Sequence, residues 1–247
     1  MIPIKSPEEV ERMRVACRAA AEILRGVAAL TQPGRTTAEL NEAAGELIRR
    51  RGGKSPFLGY RGYPGQICVS VNEEVVHGIP GSRKILYGDI VSLDVGVIID
   101  GYVGDNAMTV AVGVLKPRTA ELVQVTERAL LAGIAQARPG RRVGDISHAI
   151  QCAVEAHGFA PVQEFVGHGV GRKMHEEPQI PNFGKPGSGP KLKAGMTLAI
   201  EPMINAGTHE VQVLGDGWTV VSADGQPSAH FEHTVLVTDG EAEILTK

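Results

Sequence analysis

The segment that most constrains the fold is LDVGVIIDGYVGDNAM, at positions 93–108. Two apolar runs flank Asp100 and Gly101. An Asp-Gly pair in this setting is a strong signal for a two-residue turn between antiparallel strands. The sequence therefore predicts strands at residues 90–99 and 102–114, joined as a hairpin.

The hairpin contains two aspartates in strands that are otherwise apolar, although strand interiors are depleted in Asp. With Asp100 and Gly101 as the turn, Gly96 faces Asp105, and Asp94 points to the same side as Gly96. Unless a bulge shifts the register, Asp94 and Asp105 form a diagonal pair with backbones roughly 7–8 Å apart. Hard divalent cations fit such a gap. The alternative is that one Asp caps a turn and the other makes a surface pair.

Helical patterns lie on both sides of the hairpin. Ser6-Pro7-Glu8-Glu9 offers an N-cap, a proline at the first helical position and acidic residues in the first turn. The predicted helices are residues 7–30, 37–51, 117–137 and 143–157. Further strands are predicted at 66–72, 163–166, 197–204, 209–214, 219–222 and 230–238, and residues 178–195 are predicted to be a loop.

The order of these elements is two helices followed by strands, and then the same again. Hairpins rather than βαβ units favour an α+β fold with antiparallel sheets covered by helices. The two halves suggest a pseudo-two-fold arrangement. No linker interrupts the chain, so we expect a single domain over residues 1–247.

Charge and cysteine content limit the environment of the protein. The net charge is −3, and no Lys/Arg excess suggests nucleic-acid binding. No apolar run is long enough for a membrane helix, and the N-terminus does not resemble a signal peptide. The three cysteines do not form a disulfide framework. We expect a cytoplasmic monomer that binds neither nucleic acid nor membrane.

Three more candidate ligands lie at strand ends. His168 is flanked by glycines, Glu201 ends an apolar run before a proline, and Glu232 opens another apolar run. A buried carboxylate is costly unless it is paired or bound to metal. Together with Asp94 and Asp105, the set has four carboxylates and one imidazole, which suits two divalent ions because their charges balance.

Five motifs now stand in order: VNEEVVHGIP (71–80), DVGVIIDGYVGD (94–105), GHGVGRKMHEEP (167–178), EPMIN (201–205) and FEHT (231–234). Over nearly its whole length the sequence resembles the type I methionine aminopeptidases. The resemblance implies the pita-bread fold. It also implies that Asp94, Asp105, His168, Glu201 and Glu232 bind two metal ions, with Asp105 and Glu232 bridging both.

The resemblance also implies catalytic and pocket residues. Glu201 would move a proton, His175 would donate to the substrate carbonyl, and His77 would contact the peptide nitrogen side. The methionine pocket would be lined by Phe57, Tyr60, Tyr63, Cys68 and Trp218. Two alternatives remain open: Trp218 as a core residue, and His175 as a loop residue paired with Glu176 or Glu177. The chain departs from the family pattern at Gly96, Met174 and His230.

The implied activity is removal of the N-terminal methionine from nascent polypeptides whose second residue is small and uncharged. The enzyme would meet these N-termini at the ribosome. The two cofactor ions would be Co, Mn, Fe, Zn or Ni. One alternative is a proline dipeptidase or aminopeptidase P, which shares the ligands but usually carries an additional N-terminal domain. The other is a non-catalytic binding protein of the same fold that has lost its metals.

Overall fold

Strands from both halves of the chain meet in one eight-stranded sheet. The structure, a computed structural model, describes residues 2–247. Its helices are α1 (Pro7–Leu30), α2 (Thr37–Arg50), α3 (Pro117–Ile134) and α4 (Val143–Glu155). Its strands are β1 (Cys68–Val71), β2 (Glu74–Val76), β3 (Ile90–Ile99), β4 (Tyr102–Ala111), β5 (Ala160–Pro161), β6 (Gly167–Gly169), β7 (Glu176–Ile180), β8 (Thr197–Ile200), β9 (Met203–Asn205), β10 (Val211–Val213), β11 (Val220–Ser222), β12 (Ser228–His230), β13 (Glu232–Leu236) and β14 (Glu243–Ile244).

The large sheet has the order β1-β3-β4-β13-β8-β6-β7, and β14 pairs with β13. First-half strands occupy one side and second-half strands the other, so the halves meet where β4 pairs with β13. The remaining strands form two three-stranded sheets, with the orders β10-β11-β2 and β12-β9-β5. All recorded pairings are antiparallel, which confirms the α+β prediction.

Each half covers the sheet with a pair of helices. α1 begins at a capping box in which Ser6 Oγ accepts from the Glu9 amide and the Glu9 carboxylate accepts from the Ser6 amide. It packs against β3 and β4, and it approaches β4 so closely that a Cβ on Gly104 would lie 2.4 Å from the Ala16 carbonyl oxygen. In the second half, α3 and α4 pack against each other. Within the described residues, none of the helices is both long and apolar enough to cross a bilayer.

Most predicted elements are confirmed, with helix and strand ends shifted by a few residues. The hairpin register is as predicted, since Ile99 pairs with Tyr102 and Gly96 with Asp105. The strand predicted at 163–166 is wrong: β5 ends at Pro161, and the Gln163 amide is turned toward the Glu164 carboxylate. The loop predicted at 178–195 is wrong at its start, because residues 178–180 belong to β7 and pair with β6.

Two predicted long strands are instead split between sheets. The run 197–204 divides at Glu201 and Pro202 into β8, which pairs with β13 and β6, and β9, which pairs with β12 and β5. The run 230–238 likewise divides at Phe231 into β12 and β13. Strands β2, β5, β6, β7 and β14 were not predicted, and β12 was not predicted separately from β13. The splits place Glu201 and Glu232 where the backbone passes from one sheet to another.

Candidate active site

Five neighbouring strands of the large sheet bring the five candidate ligands together. Asp94 lies on β3, Asp105 on β4, Glu232 at the start of β13, Glu201 just after β8 and His168 on β6. Both Asp94 and Glu232 pair with Ala107, two residues beyond Asp105 on β4. The three carboxylates therefore share one face of the sheet. The prediction that Asp94 and Asp105 form a diagonal pair on one face is confirmed.

His168 presents one ring nitrogen to the carboxylates. Its Nδ1 lies 2.8 Å from the Gly169 carbonyl oxygen, to which it can only donate. Its Nε2 lies 3.3 Å from Glu201 Oε1 and 3.9 Å from Asp105 Oδ2. Fixing the proton on Nδ1 leaves the Nε2 lone pair free, the form in which imidazole binds a metal. Burial lowers the pKa of His168 to about 4, which keeps the ring neutral.

Asp105 and Glu232 are buried, Asp94 and Glu201 are partly buried, and three of the four carboxylates have an oxygen without a hydrogen-bond partner. Asp94 Oδ1, Asp105 Oδ1 and Glu232 Oε1 are buried and lack hydrogen-bond partners. Burial first, and then repulsion among neighbouring acids, raises the pKa values of Asp94, Glu201 and Glu232, and burial raises that of Asp105. Single donor atoms of Asp105, His168 and Glu232 lie within 4.8 Å of one another. This buried Asp/His/Glu cluster is compatible with a metal site, because a cation would satisfy both the unpaired oxygens and the excess charge.

Two further histidines line the cavity of about 480 Å³ above this cluster. The His77 ring packs edge-on against Phe165 and Trp218, with centroids 5.5 and 6.0 Å away. Burial lowers the pKa of His77 to about 4. The His175 ring lies 4.5 Å from that of His168, centroid to centroid, and is exposed to the cavity.

The contacts of His175 differ from those expected of a loop histidine paired with Glu176 or Glu177. Its Nδ1 lies 3.3 Å from the Tyr60 hydroxyl, and the two rings are tilted with centroids 5.7 Å apart. Glu176 does not pair with it but binds Lys5, at 2.6 Å. Its Nδ1 therefore faces Tyr60 rather than an acidic neighbour.

The opposite part of the cavity is apolar and contains sulfur. Phe57, Tyr63 and Cys68 form a buried cluster, against which Met174 and Trp218 pack. The Tyr63 hydroxyl donates to the carbonyls of Ile67 and Gly78, which fixes the ring, and the Trp218 ring meets it edge-on at 5.1 Å. Trp218 is thus half-buried on the cavity wall rather than in the core. Tyr60 also lines the cavity, on the His175 side.

The three departures from the family pattern also lie around the cavity. A Cβ on Gly96 would lie 2.6 Å from Pro56 Cγ and 2.9 Å from Phe57 Cε1, so this glycine makes room for Phe57. Met174 packs on the apolar cluster. His230 is buried, and its Nε2 lies 3.9 Å from Glu201 Oε2 without a hydrogen-bond partner.

Several cavity residues were not identified from the sequence. They are Arg61, Val76, Glu164, Phe165, Val166, Gln179 and Met203. Glu164, Phe165 and Val166 lie within four positions of the Gly-flanked His168, and this nearness to a candidate ligand is the signal that could have found them. The others show no pattern that separates them from ordinary surface or core residues.

Comparison with known proteins agrees with this geometry. The model of metallopeptidase family M24 matches residues 11–239. The chain is 49% identical over 247 residues to methionine aminopeptidase 1 of Bacillus subtilis (strain 168), covering all of both sequences. It is 44% identical over 257 residues to methionine aminopeptidase of Aquifex aeolicus (strain VF5), covering 100% of this chain and 99% of the relative.

Solved structures show the same fold. The methionine aminopeptidase of Thermotoga maritima superposes with a TM-score of 0.98 at 50% identity, and each chain is covered completely. A prolidase from Pyrococcus furiosus, 23% identical, shares the fold with a TM-score of 0.80 over 99% of this chain and 65% of its own. The fold is therefore the pita-bread fold that the resemblance implied. The chain belongs to metallopeptidase family M24.

Proposed function

We propose that this protein is a metal-dependent methionyl aminopeptidase, which removes the N-terminal methionine of polypeptides whose second residue is small and uncharged. One observation carries the proposal: a single cavity joins the five-donor cluster to an apolar, sulfur-containing pocket. The full-length relatives named methionine aminopeptidase support it.

Two divalent ions would be held by Asp94, Asp105, His168, Glu201 and Glu232, with Asp105 and Glu232 shared between the ions. The unpaired buried oxygens and the neutral His168 suit such a cluster. Four carboxylates would balance the charge of two ions. Bound ions would lower the pKa of water and so supply a nucleophile near neutral pH. One nitrogen and several carboxylate oxygens can accept Co, Mn, Fe, Zn or Ni, and availability would decide among them.

Glu201 would carry the proton from water to the leaving amine. It directly follows β8 and lines the cavity, and its Oε1 contacts His168. Burial, followed by repulsion from Asp105 and Asp94, raises the pKa of Glu201, and a carboxyl with a raised pKa is a better proton acceptor, as general acid–base catalysis requires.

His175 would donate a hydrogen bond to the substrate carbonyl as negative charge develops on its oxygen. The contact with the Tyr60 hydroxyl at Nδ1 orients the ring, and Nε2 remains for the substrate. A donor fixed in advance stabilises the transition state more than the bound substrate. His77 would contact the peptide nitrogen from the wall that it shares with Phe165.

Specificity would come from two parts of the cavity. The thioether of methionine would lie among Phe57, Tyr63, Cys68 and Trp218, since aromatic and sulfur groups interact well with sulfur. The packed rings of His77, Phe165 and Trp218 would leave little room for a large second residue.

The natural substrates would be the N-termini of nascent polypeptides. Such N-termini first emerge at the ribosome, so we place the enzyme there, in the cytoplasm, acting as a monomer without binding nucleic acid or membrane itself.

Hydrolysis assays test the proposal. Purified protein is supplied with Mn²⁺ or Co²⁺, or with EDTA, and given Met-Ala-Ser or an Xaa-Pro peptide. We expect metal-dependent release of methionine from Met-Ala-Ser only, and none from a Glu201→Ala control. Cleavage of the Xaa-Pro peptide alone would instead indicate a proline peptidase. Failure to cleave either peptide, with metal bound, would indicate a non-catalytic protein.

A further inference from the structure

A buried ion pair joins the N-terminal segment to the turn that carries His175. Lys5 Nζ donates to Glu176 Oε2 at 2.6 Å, and the two side chains are only 5% and 10% exposed. The residues are 171 positions apart in sequence. Glu176 directly follows His175, so the pair lies one residue from the proposed oxyanion donor.

The pair also closes the turn between β6 and β7. The other oxygen of Glu176, Oε1, accepts from the Lys173 amide at 3.2 Å. Both side chains lie over the backbone of Gly171, where an added Cβ would be 2.6 Å from Lys5 Cε and 2.7 Å from Glu176 Oε1. The Gly171 carbonyl in turn accepts from the Val103 amide of β4. The turn is therefore packed between the ion pair and the metal-binding hairpin.

Lys5 is itself held in place. Its amide donates to the Gly195 carbonyl oxygen at 2.8 Å, which fixes the segment before α1. A buried ion pair adds little net stability compared with an apolar pair, because desolvation opposes the attraction. What such a pair does provide is one defined geometry for the atoms around it.

We propose that Lys5 is a positioning residue for His175: through Glu176 it sets the end of the turn and so the place of the imidazole. The inference rests on the proposed function of His175. Because small displacements of a catalytic group can cost up to 100-fold in rate, loss of the pair should reduce turnover without touching the substrate pocket.

A double-mutant cycle tests the proposal. Lys5→Met should lower kcat for Met-Ala-Ser about tenfold, with KM and metal content within twofold of the wild type. In the His175→Ala background, Lys5→Met should change kcat less than twofold, because the group that it positions is absent. Equal losses in both backgrounds, or an unchanged kcat in Lys5→Met, would overturn the proposal.

Matched variants separate positioning from general damage. Arg14→Met removes two other ion pairs, one with Glu243 at 2.6 Å and one with Glu11, and should leave kcat unchanged. If Lys5→Met does not fold, Glu176→Gln replaces it in the same cycle, because Gln keeps an acceptor for the Lys173 amide while losing the charge. The same pattern of non-additivity is expected, and additive losses would again overturn the proposal.

A second measurement does not depend on activity. In metal-free protein, the ring ¹H–¹⁵N signals of His175 should shift or broaden in Lys5→Met, whereas those of the exposed His157 should not. Unchanged His175 signals would overturn the positioning role. If the wild type cleaves no methionyl peptide, the proposed function fails, and the ring signals still decide whether Lys5 holds His175.

Discussion

Replacing Glu232 by Gln should stabilise the metal-free protein while weakening metal binding. Glu232 is 3% exposed, and one of its oxygens has no hydrogen-bond partner. Burial and the neighbouring carboxyls of Asp105 and Glu201 raise its pKa. In the pH range between the usual Glu pKa of about 4.3 and the raised value, the folded protein holds a proton that the unfolded chain releases. The free energy of unfolding therefore falls as pH rises through this range.

The magnitude follows from the proton uptake. Each pH unit above the usual pKa costs about 1.4 kcal/mol for a carboxyl that stays protonated in the folded state. At pH 7 the cost cannot exceed about 3–4 kcal/mol, the value for a carboxyl that stays fully protonated, and a neutral Gln of the same shape does not incur it. For a chain of 247 residues this upper limit corresponds to a Tm increase of about 5–15 °C, so we expect an increase that does not exceed that range. Near pH 4 the gain should be small, because Glu232 is then mostly protonated in both states.

Differential scanning fluorimetry can measure both effects. In EDTA, Glu232→Gln should melt above the wild type at pH 7, and this difference should nearly disappear near pH 4. With Mn²⁺ the order should reverse, since only the wild type gains the full stabilisation from bound ions. Asp145→Asn is the control, because backbone N–H groups of Arg142 and Gly187 lower the Asp145 pKa, so the opposite trend is expected. A Glu232→Gln protein that melts no higher than the wild type in EDTA at pH 7 would refute the reasoning.

Three other substitutions test separate parts of the structure. His175→Ala should lower kcat roughly 10²–10³-fold with metal content and KM nearly unchanged; loss of metal, measured by elemental analysis, would make it a ligand instead. Asp105→Ala should lose both ions and His168→Ala only one, and equal occupancy in the two variants would contradict the bridging role of Asp105. Gly104→Ala should cost more than about 2 kcal/mol in urea denaturation, because its Cβ would lie 2.4 Å from the Ala16 carbonyl oxygen; a smaller loss would show that α1 can move.

Short-range sequence patterns were sufficient to predict that Asp94 and Asp105 lie together at the centre of the site. An Asp-Gly turn fixes the register of its own hairpin, so the shared face of Asp94 and Asp105 followed from counting residues. Counting residues does not predict where a strand leaves one sheet and joins another. The run 197–204 has the pattern of one strand, and only its neighbours show that it divides at Glu201 and Pro202 between two sheets.

Ion pairs between residues far apart in the sequence give no local sequence pattern from which they could be predicted. Asp94, Glu201 and Glu232 stand out in the sequence because an acid inside an apolar strand needs a partner, whatever the fold. Lys5 follows the apolar residues 2–4 and Glu176 lies in a polar stretch, but neither charge shows a pattern that predicts burial, and the sequence suggests only His175 as a partner for Glu176. Their burial depends on how the N-terminal segment passes over Gly171, a contact between opposite halves of the chain. Groups that bind the ions can therefore be recognised from the sequence, whereas a group that holds a catalytic side chain in place, as we infer for Lys5, is recognisable only once the two halves are packed together.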